Sequence, residues 1–178
     1  HSADREEVAK ALPTGSTLVE FFRFAPFCFK PLVLESERYI AFILPAREPE
    51  RVKMIDLGEA EEIDRLIAEF RSQIAGEGAD RTINEGKTPR QLREEACRNL
   101  YKQLFEPVVE AMGNGDGKKD IRHIIIAPDG EICLVPFEAF LSEKGRFVVE
   151  DYLISYVTVG RDVVRFGEKS LQSSGGVI

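Results

Sequence analysis

At 178 residues, 43% hydrophobic and 31% charged, the chain is long enough to bury a real core and fits one soluble globular domain. Its 24 basic and 31 acidic residues leave a net charge of −7 with no basic cluster beyond short pairs, which argues against nucleic acid or an anionic membrane as main partner. No apolar stretch approaches the roughly 20 residues that cross a bilayer, and no signal peptide is visible.

Ser2–Leu12 reads as a helix, with Ser2 or Asp4 as N-cap and Val8, Ala11 and Leu12 on one face. Thr17–Phe24 is a strand by its β-branched and aromatic content. Ala25–Glu37 holds two prolines among aromatics and reads as an irregular loop or flap. Arg38–Leu44 and the alternating Arg51–Leu57 complete an antiparallel meander. In Glu59–Ala75, Ile63, Leu66, Ile67, Phe70 and Ile74 form one helical stripe. Gly76–Lys87 is polar and glycine-rich, and is expected to be mobile. Thr88-Pro89 starts a helix whose apolar face is Leu92, Ala96, Leu100 and Leu104, and Pro107 kinks or divides it before Val108–Met112. Gly113–Lys119 is a second mobile loop. Ile124–Ala127 has no polar alternation, as expected of a strand covered on both faces. Pro128-Asp129-Gly130 turns the chain into a second strand, Glu131–Val135, which Pro136 ends before Phe137-Glu138-Ala139-Phe140. Phe147–Val149 and Leu153–Val159 read as further strands, and Gly160–Phe166 as a short helix.

Candidate chemistry is sparse. The three cysteines, Cys28, Cys97 and Cys133, are odd in number and scattered, so no disulfide framework is expected and a reducing cytoplasm fits best. His1 lies at the terminus and His123 opens the central strand. A Cys133–His123 dyad across the Pro-Asp-Gly turn is geometrically conceivable, but all three cysteines read better as packing residues. Gly86-Lys87-Thr88 lacks the leading glycine of a phosphate loop, since Arg81 stands there, and is read as a capped helix start. Asn114-Gly115-Asp116-Gly117 lacks the ligands of a calcium loop and is read as a glycine turn. Glu61-Glu62 and Glu94-Glu95 are solvated helix charges, and Arg161-Asp162 is a structural pair or an anchor for Glu150 or Asp151.

The order of these pieces carries a resemblance. Leu18–Phe22, Tyr39–Leu44 with Val52–Gly58, Glu62–Phe70, Ala127–Gly130, Pro136–Ala139, and Ile154-Ser155-Tyr156 through Gly160-Arg161-Asp162 follow one another as in the front part of the CHAT domain. The series, over residues 7 to 167, resembles that caspase-like cysteine-peptidase domain, often found behind helical TPR repeats. The resemblance implies an α/β fold, a mixed sheet flanked by helices with an N-terminal antiparallel meander. In the family the catalytic histidine and cysteine sit in later motifs, which would fall beyond Ile178, so no catalytic residue is carried over. No cofactor-binding or metal-binding residue is assigned either.

The expectation is therefore a scaffold, residues 1–167, of a CHAT-type cysteine peptidase that is inactive alone, with 168–178 as a linker into a downstream catalytic half. Its expected partners are that half, TPR repeats, and a protein activator or substrate. The alternative is a stand-alone pseudo-peptidase module that binds a protein partner. Coding sequence downstream of Ile178 separates the two.

Overall fold

Five strands and the helices on their two faces account for most of the computed structural model, which describes residues 4–29, 32–34, 36–75, 86–113 and 121–170. Asp4 caps α1 (Arg5–Ala11) through a reciprocal pair of bonds with Glu7. The chain continues through β1 (Ser16–Phe24), the short hairpin β2 (Phe27–Phe29) and β3 (Leu32–Leu34), β4 (Arg38–Pro45) and β5 (Lys53–Glu59). It then forms α2 (Ala60–Ala75), α3 (Pro89–Leu100), a π-turn (Tyr101–Phe105), α4 (Glu106–Met112), β6 (His123–Ala127), α5 (Val148–Asp151) and β7 (Leu153–Tyr156). A final 3₁₀ helix spans Gly160–Ser170.

The sheet order is β5-β4-β1-β6-β7. β5, β4 and β1 are antiparallel neighbours, the expected meander, whereas β1, β6 and β7 run parallel. The architecture is thus mixed α/β, as the sequence implies. Strand alternation divides the core in two. Val19, Phe21, Tyr39, Ala41, Ile124 and Ile126 face α2, α3 and α4, while Leu18, Leu44 and Ile125 face α1 and the final 3₁₀ helix. Ile124–Ala127 is buried throughout because β6 has strands on both sides and cover on both faces.

Pro107 acts as expected of a helix interrupter, but through a specific device. Its ring crowds the carbonyl four residues back and it offers no N–H. The chain widens into the π-turn, where the Glu106 N–H reaches the Tyr101 carbonyl, and α4 restarts with Pro107 in its first turn.

Several predicted elements are corrected. Ala25–Glu37 contains the β2–β3 hairpin instead of being wholly irregular. Glu131–Val135 is not a strand: Gly130–Leu134 is a 3₁₀ helix. Ile132 and Val135 are buried while Cys133 and Leu134 are exposed, so burial follows a period of three instead of two. Phe147–Val149 is reduced to one bridge, Leu141 with Phe147, followed by α5, whose start Glu150 caps by accepting the Phe147 N–H at 2.7 Å. The strand expected over Leu153–Val159 stops at Tyr156. Of the two loops expected to be mobile, residues 76–85 and 114–119 lie outside the described residues.

Phe137 and Phe140 are fully buried in the cluster that includes Ile124 and Ile126. Phe137 stacks on Phe21 at 5.6 Å between centroids and meets Phe140 edge-on at 5.2 Å. Phe140 in turn meets Phe70 of α2 at 6.2 Å and Phe105 of the π-turn at 6.2 Å. Phe137→Ala is expected to lower stability by about 3–5 kcal/mol in denaturant melts, the range for a buried aromatic truncation. A loss under about 1 kcal/mol would contradict this packing.

Candidate functional site at the carboxyl ends of the parallel strands

In open sheets, sites form beyond the carboxyl ends of parallel strands, where crossovers diverge. β1 satisfies that condition: it hands the chain to β4 on one side and has β6 on the other. At this end β6 passes into Pro128-Asp129-Gly130, and Asp129 fixes the turn. One of its oxygens accepts the Gly130 N–H at 2.9 Å and the other the Arg23 N–H of β1 at 2.9 Å.

Arg23 is the centre of the cluster. Its Nε donates to Glu37 at 2.8 Å and Nη2 lies 2.7 Å from the same carboxylate. Nη1 donates to Asp64 of α2 at 2.8 Å, and the guanidinium lies over the Tyr39 ring, 5.7 Å from its centroid. The Glu37 hydrogen bond is the main influence raising the Arg23 pKa, with Tyr39 and Asp64 adding to it. The buried Tyr39 hydroxyl donates to Asp64 at 3.0 Å and accepts the Glu131 N–H at 3.0 Å. Desolvation pushes its pKa up, so the phenol is held in its neutral form. Gly130 is required here: its φ is 59°, and a Cβ at this position would fall on the Tyr39 hydroxyl.

This cluster joins β1, β4, α2 and the turn after β6. Its groups are committed to one another, which makes it a clamp and not a reactive centre. Local sequence does not reveal Arg23, Glu37, Tyr39 and Asp64 as a cluster, because their partners lie 14 to 106 positions away. The one signal in the sequence is the Pro-Asp-Gly turn, whose aspartate bonds the Gly130 N–H locally and also the Arg23 N–H of β1.

The conceivable Cys133–His123 dyad does not form. Cys133 is exposed on the 3₁₀ helix beyond the carboxyl end of β6, whereas His123 begins β6. The strand alone separates the two ends by about 13 Å at ~3.3 Å per residue. Nε2 of His123 instead pairs with Ser155 Oγ at 2.9 Å, and burial lowers its pKa. The expectation that Cys133 is a packing residue is likewise corrected, since the three-residue period turns it outward. Cys97 does pack: it is buried, its Sγ donates to the Ala139 carbonyl at 3.1 Å and accepts the Leu141 N–H at 3.2 Å. Burial raises its pKa, against the needs of a nucleophile. The Cys28 side chain lies outside the described residues.

The remaining candidates resolve as structure. Thr88 caps α3 in a reciprocal box with Gln91, confirming Gly86-Lys87-Thr88 as a helix start. Glu94 and Glu95 pair with Arg90 and Lys87, and Glu61 and Glu62 are exposed on α2. Arg161 does not anchor Asp151, which pairs with Arg146 at 2.8 Å. Asn114–Gly117 lies outside the described residues. Among the described residues, no three histidine, cysteine or acidic side chains gather to hold a metal ion, and no helix is long and apolar enough to cross a membrane.

At the carboxyl end of β7, the Tyr156 hydroxyl donates to Glu138 at 2.7 Å and accepts the Phe137 N–H at 3.1 Å. Tyr156 thereby pins the Pro136–Ala139 turn, which with the Pro-Asp-Gly turn belongs to the ordered series that carries the resemblance. Residues 94–178 match the family model of the CHAT domain. The CHAT match begins within α3, at Glu94, and contains the π-turn, α4, β6, both turns and β7. The first strands and α2, which also carry the resemblance, precede the matched span. No curated protein matches the chain. The five-stranded mixed sheet with flanking helices is consistent with the caspase-like fold that CHAT domains imply.

The clamp makes a double-mutant prediction. Tyr39→Phe and Gly130→Ala are each expected to destabilise by about 1–3 kcal/mol, the first by leaving buried groups unpaired and the second by collision and a left-handed φ. Combined, they are expected to cost less than their sum, because Tyr39→Phe removes the oxygen that the new methyl strikes. Strict additivity in urea melts would place the two residues out of contact.

Proposed function

We propose that the chain is the non-catalytic scaffold portion of a CHAT-type, caspase-like cysteine peptidase, with the catalytic histidine and cysteine contributed by polypeptide outside it. The observation that carries this reading is the separation of Cys133 from His123 at opposite ends of β6, together with the CHAT match. Peptide cleavage requires thiolate and imidazole within hydrogen-bond reach and donors for the developing oxyanion. The clamp supplies neither, but it holds the strand ends that would support such a centre.

The edge strand β7 supports the second half of the proposal. Among the described residues it ends the sheet, with Leu153 62% exposed and Tyr156 45% exposed. Parallel pairing sends alternate amides to one neighbour. The Leu153 N–H reaches the Arg122 carbonyl and the Val157 N–H the Ile126 carbonyl, so the amides of Ile154 and Tyr156 point toward the open edge. A strand from the catalytic portion adds there and continues the sheet. TPR repeats and a protein activator or substrate are the further partners proposed, in a cytoplasmic setting. The same edge favours the second reading, a pseudo-peptidase module whose protein partner adds the strand.

The purified chain is expected to turn over no peptide in a fluorogenic panel and to show no selective reaction with thiol-directed peptidyl inhibitors. Turnover by this chain that Cys133→Ala abolishes would contradict the proposal and reinstate Cys133 as a nucleophile.

A further inference from the structure

The α2 stripe does not end in the core. Ile63, Ile67 and Phe70 are buried, but Ile74, next on the same stripe, is 54% exposed. It borders a cavity of about 460 Å³ between α2, α3 and the turn before α5. Phe70, Cys97 and Leu141 form the apolar base, and Phe147, 49% exposed, forms the opposite wall.

The walls are held in place. Cys97 ties α3 to the Ala139–Leu141 segment through both of its sulfur hydrogen bonds. The Leu141–Phe147 bridge is closed by Ser142, whose N–H donates to the Arg146 carbonyl at 2.9 Å, with Gly145 at φ 74° in the turn. Phe147 is therefore presented by a braced turn.

The rim is cationic. Arg90, Arg93, Glu94, Cys97 and Arg98 recur at i, i+3, i+4, i+7 and i+8, one stripe of α3 facing the cavity. Glu94 is neutralised by Arg90 at 2.9 Å, and it lies below the usual carboxylate range because of that bond, with Arg98 adding to the effect. Arg93 and Arg98 form no ion pair among the described residues, in a chain whose net charge is −7. An apolar pocket flanked by two uncommitted guanidinium groups selects a particular partner chemistry.

We propose that this groove docks a peptide segment of a protein partner in which a bulky apolar side chain is flanked by acidic residues. The apolar side chain enters between Ile74 and Phe147, and the carboxylates pair with Arg93 and Arg98. This surface is separate from the β7 edge, so it serves a partner other than a strand that extends the sheet.

Fluorescence anisotropy tests the proposal on the full chain, with a labelled peptide carrying one phenylalanine between paired glutamates and a control with lysines in their place. The acidic peptide is expected to bind saturably, more weakly as salt rises, and the lysine control not to bind. Arg93→Glu with Arg98→Glu is expected to weaken binding about tenfold, since two exposed ion pairs are lost and charge reversal adds repulsion. Phe147→Ala, a surface change, is expected to weaken binding without altering the salt slope. No binding, equal binding of both peptides, or indifference to both variants with their circular dichroism unchanged would overturn the proposal. Self-association that Phe147→Ala abolishes would also overturn it, by assigning the groove to a second copy.

Discussion

Phe137 and Phe140 close the helical face of the sheet and tie its layers together. They reach the four parts of the chain that must converge on one core: Phe21 on β1, Phe70 on α2, Phe105 in the π-turn and Tyr156 on β7. Burial of large aromatic side chains is the dominant stabilising term available to such a layer. Their position is set by two short irregular segments, the Gly130–Leu134 and Phe137–Ala139 turns of 3₁₀ helix. The Asp129–Arg23–Tyr39–Asp64 clamp fixes the first, and the Tyr156 hydroxyl fixes the second. Polar groups at the strand ends thus specify where the apolar plug enters.

What could be read from the sequence was what local periodicity encodes. The α2 stripe, the capped start of α3 at Thr88-Pro89, the meander and the buried run Ile124–Ala127 follow from spacing and from turn chemistry. Glu131–Val135 has strand composition in Ile132, Cys133 and Leu134, but long-range bonds hold the turn that makes them 3₁₀, from Asp129 to Arg23 and from Glu131 to the Tyr39 hydroxyl, 92 residues away in sequence. A strand there would bring Cys133 back toward His123, whereas the 3₁₀ turn leaves it beyond the far end of β6. The site at the strand ends was largely illegible, since Arg23 and Tyr39 look like ordinary strand residues until the fold brings Asp64 and Asp129 to them.

Function follows from the same geometry. The charges of the clamp are mutually satisfied, and the Cys133 thiol and His123 imidazole lie at opposite ends of β6. The CHAT match over 94–178 supplies the family context, and the open side of β7 supplies a place where the sheet can continue. Adding a strand at that edge would cover Leu153 and Tyr156, whose exposure is otherwise a liability of an unprotected edge.

We propose that β7, which ends the sheet among the described residues, is an edge that takes up a further strand. Amide hydrogen exchange resolved at single residues tests this. In the monomeric chain, the Leu153, Ser155 and Val157 amides, which face β6, are expected to be protected, while those of Ile154 and Tyr156 exchange rapidly. Strong protection of Ile154 and Tyr156 already in the monomer would contradict the account.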